Sequence, residues 1–197
     1  ALAASNFGAI LEQERPDVVH MHALTRGASL RGLREARRRG IPVVFSYHTP
    51  TVSCQRGTLL RFGNEVCDGA LEVRRCAQCT LSSRGLSRLA STIVGSIPEA
   101  FGRRIGQAGL SGRLWTAARM AELIALRQDA FHAVMEEADH VVALCEWVKD
   151  VLLRNRVPEA KISVSRQGLD PYPSPCMLRE GALGRRVAFL GRLDATK

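Results

Sequence analysis

Short apolar runs rich in valine and isoleucine punctuate the chain at residues 18–21, 43–45, 141–144, 162–164 and 187–190. Each is too short and too continuous for an amphipathic helix, and reads as a buried strand. The stretches between them carry apolar residues at helical spacing. In TRGASLRGLREARRRGIP, residues 25–42, Leu30 and Leu33 face inward and the arginines face out, while Gly40 and Pro42 end the helix. A second helical pattern covers 114–137, with Met120, Leu123, Ile124, Phe131 and Val134 as its inner stripe. A third covers 146–155, before a turn at Pro158. Strand and helix in alternation predict an α/β fold: a Rossmann-like, doubly wound parallel sheet with helices on both faces.

Three segments interrupt the alternation. Residues 48–84 have little periodicity and read as a cysteine-rich insert. Residues 84–113 are apolar, basic and dotted with glycine, which suggests short helices or a loop. The prolines of PYPSPC, residues 171–176, belong in neither a central strand nor a helix interior. They mark a boundary, so 1–170 is read as one domain, 171–184 as a linker and 185–197 as the opening strand of a second domain.

Composition narrows the class. With 46% hydrophobic and 24% charged residues the 197-residue chain is ordinary globular protein. No apolar run approaches the ~18 residues that span a bilayer, and no secretory pattern opens the chain, so the expected location is cytoplasmic. The net charge of +9 comes from 28 basic residues, of which only Lys149, Lys161 and Lys197 are lysine. Such a surface favours phosphate-rich partners, although a GC-rich genome also supplies arginine.

Cys54, Cys67, Cys76 and Cys79 form C-x12-C-x8-C-x2-C. A C-x2-C pair plus two sulfurs from a preceding loop can complete a tetrahedral thiolate site, for which zinc is chemically reasonable. Reduced structural cysteines and disulfide or redox use are the alternatives. Basic charge with C-x2-C also admits a zinc-containing nucleic-acid binder, but aromatics are only 5% and the basic residues are dispersed. A dinucleotide cofactor is disfavoured, since no G-x-G-x-x-G follows a strand. His20 and His22, two apart on a strand, share a face. His20 reads as a core histidine with a backbone partner and His22, nearer the strand end, as a cleft residue.

The order of PDVVHMH, ARRRGIPVVFSYHTP, ADHVVALCEWVKDVLLRNRVPEAKISVSRQGLD and VAFLGRLDATK resembles glycosyltransferase family 4, retaining sugar transferases with the GT-B fold. By that resemblance the chain is most of the first, acceptor-side domain, without its first strand and glycine-rich loop, followed by the start of the donor-binding domain. A fragment of this kind is expected to be inactive alone. Gly191, Arg192 and Lys197 match the family's donor-phosphate glycine and cations, and His48 matches the catalytic-site histidine that touches the donor. Gly168, kept in RQGLD where relatives read PNGID, is a candidate cleft residue at an unusual turn. Cys145 replaces a common serine and reads as a small buried residue. A non-catalytic interaction domain derived from a transferase is the remaining alternative.

The resemblance further implies a nucleotide-diphosphate sugar as donor, a glycan or lipid-linked acceptor in bacterial polysaccharide or cell-envelope synthesis, no nucleic acid and no catalytic metal. Any zinc would be structural. Similar cysteine inserts occur in some bacterial members at this place, where they would shape the acceptor pocket. Leu86, Leu89, Ile93 and Ile97 recur at helical spacing among Arg84, Arg88, Arg103 and Arg104. That pattern fits either a helix resting on anionic lipid at the inner membrane face or a core-facing helix with a solvated basic side.

Overall fold

A computed structural model describes residues 2–25, 29–166 and 168. The expected strand at 187–190, the linker at 171–184 and the segment 185–197 lie outside the described residues. One compact unit comprises Ala1–Arg166. Its elements run α1 (Leu2–Glu14), β1 (Val19–Met21), α2 (Leu30–Arg38), β2 (Val43–Tyr47), β3 (Leu60–Arg61), β4 (Glu65–Val66), α3 (Val73–Ser83) and α4 (Arg88–Gly95). Then follow α5 (Glu99–Gln107), α6 (Arg113–Ala118), α7 (Met120–Glu137), β5 (His140–Ala143), α8 (Glu146–Arg154) and β6 (Ile162–Val164).

The four longer-range strands form a parallel sheet in the order β1-β2-β5-β6. Val19 pairs with Val43, Phe45 with Val141, and Val141 with Ile162, so the odd-numbered residues of β1, β2 and β5 line one face together with Ile162 and Val164 of β6. Val43, Phe45, Tyr47, Val141 and Ala143 are buried there. Each crossover advances in the same direction across the sheet, and right-handed connection puts α2, α7 and α8 on one face. Leu33 and Ala36 of α2, Phe131 and Val134 of α7, and Val148 and Leu152 of α8 complete that core. Rows of this kind supply the hydrophobic free energy of the domain, about 1.5–3 kcal/mol per fully buried large side chain. The alternate face is more polar: it carries His20, Ser46, His140 and Ser163, with His140 Nε2 and Ser163 Oγ 2.8 Å apart.

Polar contacts fix where the sheet begins. Asp139 Oδ2 accepts from the Val43 amide at 2.8 Å, and the Asp139 amide donates to Val43 O at 2.9 Å. Two α2 arginines face solvent as expected and from there also reach α7: Arg34 Nη2 donates to Glu137 Oε1 at 2.6 Å and Arg37 Nη1 to the Glu137 carbonyl at 2.6 Å. Gly40, with φ +73°, ends the helix as the sequence indicates.

Several expectations are corrected. The helix expected over 114–137 is two helices, α6 and α7, which meet at Arg119. Leu123 is half-buried, whereas the rest of the expected α7 stripe is buried. The insert contains a small hairpin, β3 with β4, and a full helix, α3. Its helical signal, Ala77 and Leu81 one turn apart, is weak alone and becomes a buried face only against Met120, Ala121 and Ile124 of α7. Leu86 and Ile97 lie outside α4 and are half-buried, while Leu89 and Ile93 on it are exposed, so the four do not form one stripe. Cys145 is exposed at the N-cap of α8 rather than buried.

The insert is fastened to α8 by Asn155, which is buried. Its Nδ2 donates to Gly69 O at 2.9 Å and Val151 O at 2.7 Å, and its Oδ1 accepts from the Leu71 amide at 2.9 Å. Gly69, with φ +77°, lies so close that an added Cβ would stand 2.7 Å from Val151 Cγ2. Asn155→Ala would strand these backbone groups in a dry site, so urea unfolding should show a loss of about 1–3 kcal/mol. An unchanged midpoint would mean that Asn155 does not hold the insert.

Candidate active site

Strand register assembles the site. His20 pairs with Val44, so two residues further along both strands His22, Ser46 and His48 emerge on the same side at the carboxyl ends of β1 and β2. Ligands of parallel sheets bind outside these ends. His22 Nδ1 and His48 Nε2 are 2.8 Å apart, and His20 Nε2 lies 2.8 Å from Ser46 Oγ. Ring centroids are 4.0 Å apart for His20 and His22 and 5.0 Å for His22 and His48, so three imidazoles form a continuous row. The row borders a cavity of about 350 Å³ alongside β1, whose lining includes Phe7, His20, His22 and Thr25.

This geometry limits protonation. A hydrogen bond between two imidazoles needs one donor and one acceptor nitrogen, so both rings cannot be doubly protonated while it lasts. His22 can thereby set the orientation and tautomer of His48. His20 is exposed and bonded to a side chain, against the expectation of a core histidine with a backbone partner. Partial desolvation, followed by the neighbouring His22 and His48, lowers its pKa from the ordinary 6.5.

Arg127, near Tyr47 and Cys54, is a polar residue that sequence reasoning passed over. It occupies the inner stripe of α7, three residues after Ile124, and an arginine at such a position is itself a signal. Its Nε is buried with no hydrogen-bond partner. Burial disfavours its charge, while Tyr47 and Cys54 nearby favour it. Tyr47 continues β2 beyond the expected strand end, and its hydroxyl shares a 2.6 Å hydrogen bond with Ser53 Oγ.

The remaining candidates divide. Cys54, Cys67, Cys76 and Cys79 are free thiols and all line one cavity of about 40 Å³. Among the described residues no three His, Cys, Asp or Glu side chains stand at the spacing of a formed metal site. Gly168 is exposed and its φ lies outside the left-handed range, so the backbone there does not demand glycine as expected. Gly191, Arg192 and Lys197 lie outside the described residues. No helix among the described residues is long and apolar enough to cross a membrane.

A family model described as the glycosyl transferase 4-like domain matches residues 1–168. The chain belongs to this family. No curated protein and no solved structure matches it. Membership in the glycosyl transferase 4-like family agrees with the parallel Rossmann-like sheet and gives the histidine row a general setting, sugar transfer from a nucleotide sugar to an acceptor.

The row makes a pH prediction for this glycosyl transferase 4-like domain. Because folding holds His20 below 6.5, the unfolded chain binds its proton first as pH falls. This contribution to stability is whole above about pH 6.5 and declines as pH drops through that value toward the folded pKa. NMR titration should place the His20 pKa below the ordinary 6.5, and His20→Asn should flatten the stability profile as pH falls below that value. A His20 that titrates at or above its ordinary value would contradict the row.

Proposed function

We propose that the chain forms the acceptor-side domain of a retaining GT-B glycosyltransferase of the hexosyltransferase type. It moves a sugar from a nucleotide-diphosphate donor to a glycan or lipid-linked acceptor in bacterial cell-envelope synthesis, at the cytoplasmic membrane face. The observation that carries this reading is the 2.8 Å His22–His48 hydrogen bond at adjoining strand ends of a glycosyl transferase 4-like domain. His48 touches the donor, and His22 is a positioning residue that holds its ring. As the sugar leaves, negative charge grows on the diphosphate oxygens, and preorganised cations lower that barrier. Arg192 and Lys197 take this role by resemblance, with Gly191 allowing close backbone approach. Side chains and a helix N-terminus suffice for such a leaving group, so the reading calls for no catalytic divalent ion.

In the full-length protein, His48→Ala should lower kcat for nucleoside-diphosphate release by about 10²–10³, the usual cost of losing one transition-state donor. His22→Ala should cost less, about tenfold, with partial recovery in His22→Gln, which keeps a hydrogen-bonding side chain. NMR of the product reports whether the anomeric configuration is retained. Full turnover in His48→Ala would remove the histidine row from the reaction.

The acceptor suggests a surface. Leu89 and Ile93 are 73% and 64% exposed on α4, and Arg84, Arg88, Arg103 and Arg104 are exposed as well. Apolar residues among arginines suit an anionic lipid surface. Sedimentation with vesicles containing anionic lipid should exceed that with neutral vesicles, weaken with added salt and fall in Leu89→Asp/Ile93→Asp. Binding indifferent to lipid charge and salt would remove the electrostatic part of this reading.

A further inference from the structure

We infer that Cys54, Cys67, Cys76 and Cys79 together hold one zinc ion as a tetrathiolate that organises the insert. The inference is independent of the sugar-transfer reading and begins with convergence. The four come from three separate pieces of backbone: the turn after Pro50–Val52, the end of β4, and successive turns of α3. They nevertheless line the same cavity. The cavity is small, about 40 Å³. Four thiols in the lining of one cavity are a donor set that suits a single soft cation such as zinc.

Charge around the cavity supports the same occupant. Arg56, Arg61 and Arg75 line it with the cysteines. Arg75 is already paired with Asp68 at 2.6 Å, whereas Arg56 and Arg61 add positive charge that suits a dication with four thiolates, whose net charge is about −2. Arg61 Nε is buried without a partner. Donors already aim at one sulfur: the Phe62 amide lies 3.4 Å and Arg56 Nη1 3.7 Å from Cys79 Sγ. As each S–Zn bond forms, the thiol proton leaves to solvent, so four protons are released per ion bound.

The backbone supplies a reason for the ion. Leu59 and Phe62 have φ of 50° and 51°, and Gly57, Gly63 and Gly69 are also positive. The hairpin has only two residues in each strand, and Val66 on it is 79% exposed. So short a hairpin with so little buried apolar surface is not stable on its own, and non-glycine residues at positive φ add strain. A metal cross-link between the hairpin and α3 provides the missing order, as in other small metal-bound modules.

The test uses the whole chain, purified without oxygen and without added metal. Elemental analysis should find about one zinc per chain, and exchange for Co²⁺ should give thiolate charge-transfer bands with tetrahedral d–d absorption. Cys145→Ser and Cys176→Ser should keep the ion, whereas Cys76→Ser should lower the affinity about tenfold or more. Four free thiols without metal, a disulfide between any two of these cysteines, or iron in place of zinc would each overturn the assignment. The wild-type measurements suffice for that decision if a cysteine variant fails to fold.

Discussion

Parallel pairing of β2 with β1 on one side and β5 on the other is the constraint from which the rest follows. The register sends Val43, Phe45 and Tyr47 into the core beside Val141 and Ala143. The same alternation sends Ser46 and His48 to the opposite face, beside His20 and His22. Burial and site assembly are thus two faces of one hydrogen-bonding pattern. A shift of one residue would expose the apolar row and break up the histidine row together. The bonds between Asp139 and Val43 guard against that slip at the start of both strands.

The long helix α7 extends this order beyond the sheet. Phe131 and Val134 bury against the strands, while Met120, Ala121 and Ile124 form a second, smaller core with Ala77 and Leu81 of α3. One rigid element therefore supports both the histidine rim and the cysteine insert. From the other side Asn155 ties the insert to α8, which itself packs behind β5 and β6. The insert draws its position from these neighbours because its own hairpin is too small to fold independently.

The polar groups follow a division by burial. Exposed arginines on α2 bind α7 through Glu137 and the backbone, in water, where each such pair contributes at most about 1 kcal/mol. Buried polar groups are fewer and more consequential. Asn155 meets its partners in full, while Arg127 Nε and Arg61 Nε are buried without any. A buried donor without a partner is costly enough to be worth explaining, and both arginines lie close to groups with chemical potential, Arg127 near Tyr47 and Cys54, and Arg61 at the thiol cavity.

By itself the sequence determined the strand and helix alternation, the parallel sheet, the inner stripe of α7 and the family. These signals are local or periodic: short valine-rich runs, apolar residues at helical spacing, and motifs such as PDVVHMH in order along the chain. Tertiary structure alone decided which side chains meet. His22 and His48 are 26 residues apart in sequence and 2.8 Å apart in space, a contact that strand register creates and no spacing rule encodes. Helix α3 was illegible because Ala77 and Leu81 become a hydrophobic face only against α7, and Leu86, Leu89, Ile93 and Ile97 misled because spacing cannot show where a helix ends. His20 was misjudged for a related reason: a residue's strand position is periodic, but whether its face is covered depends on which elements fold across it.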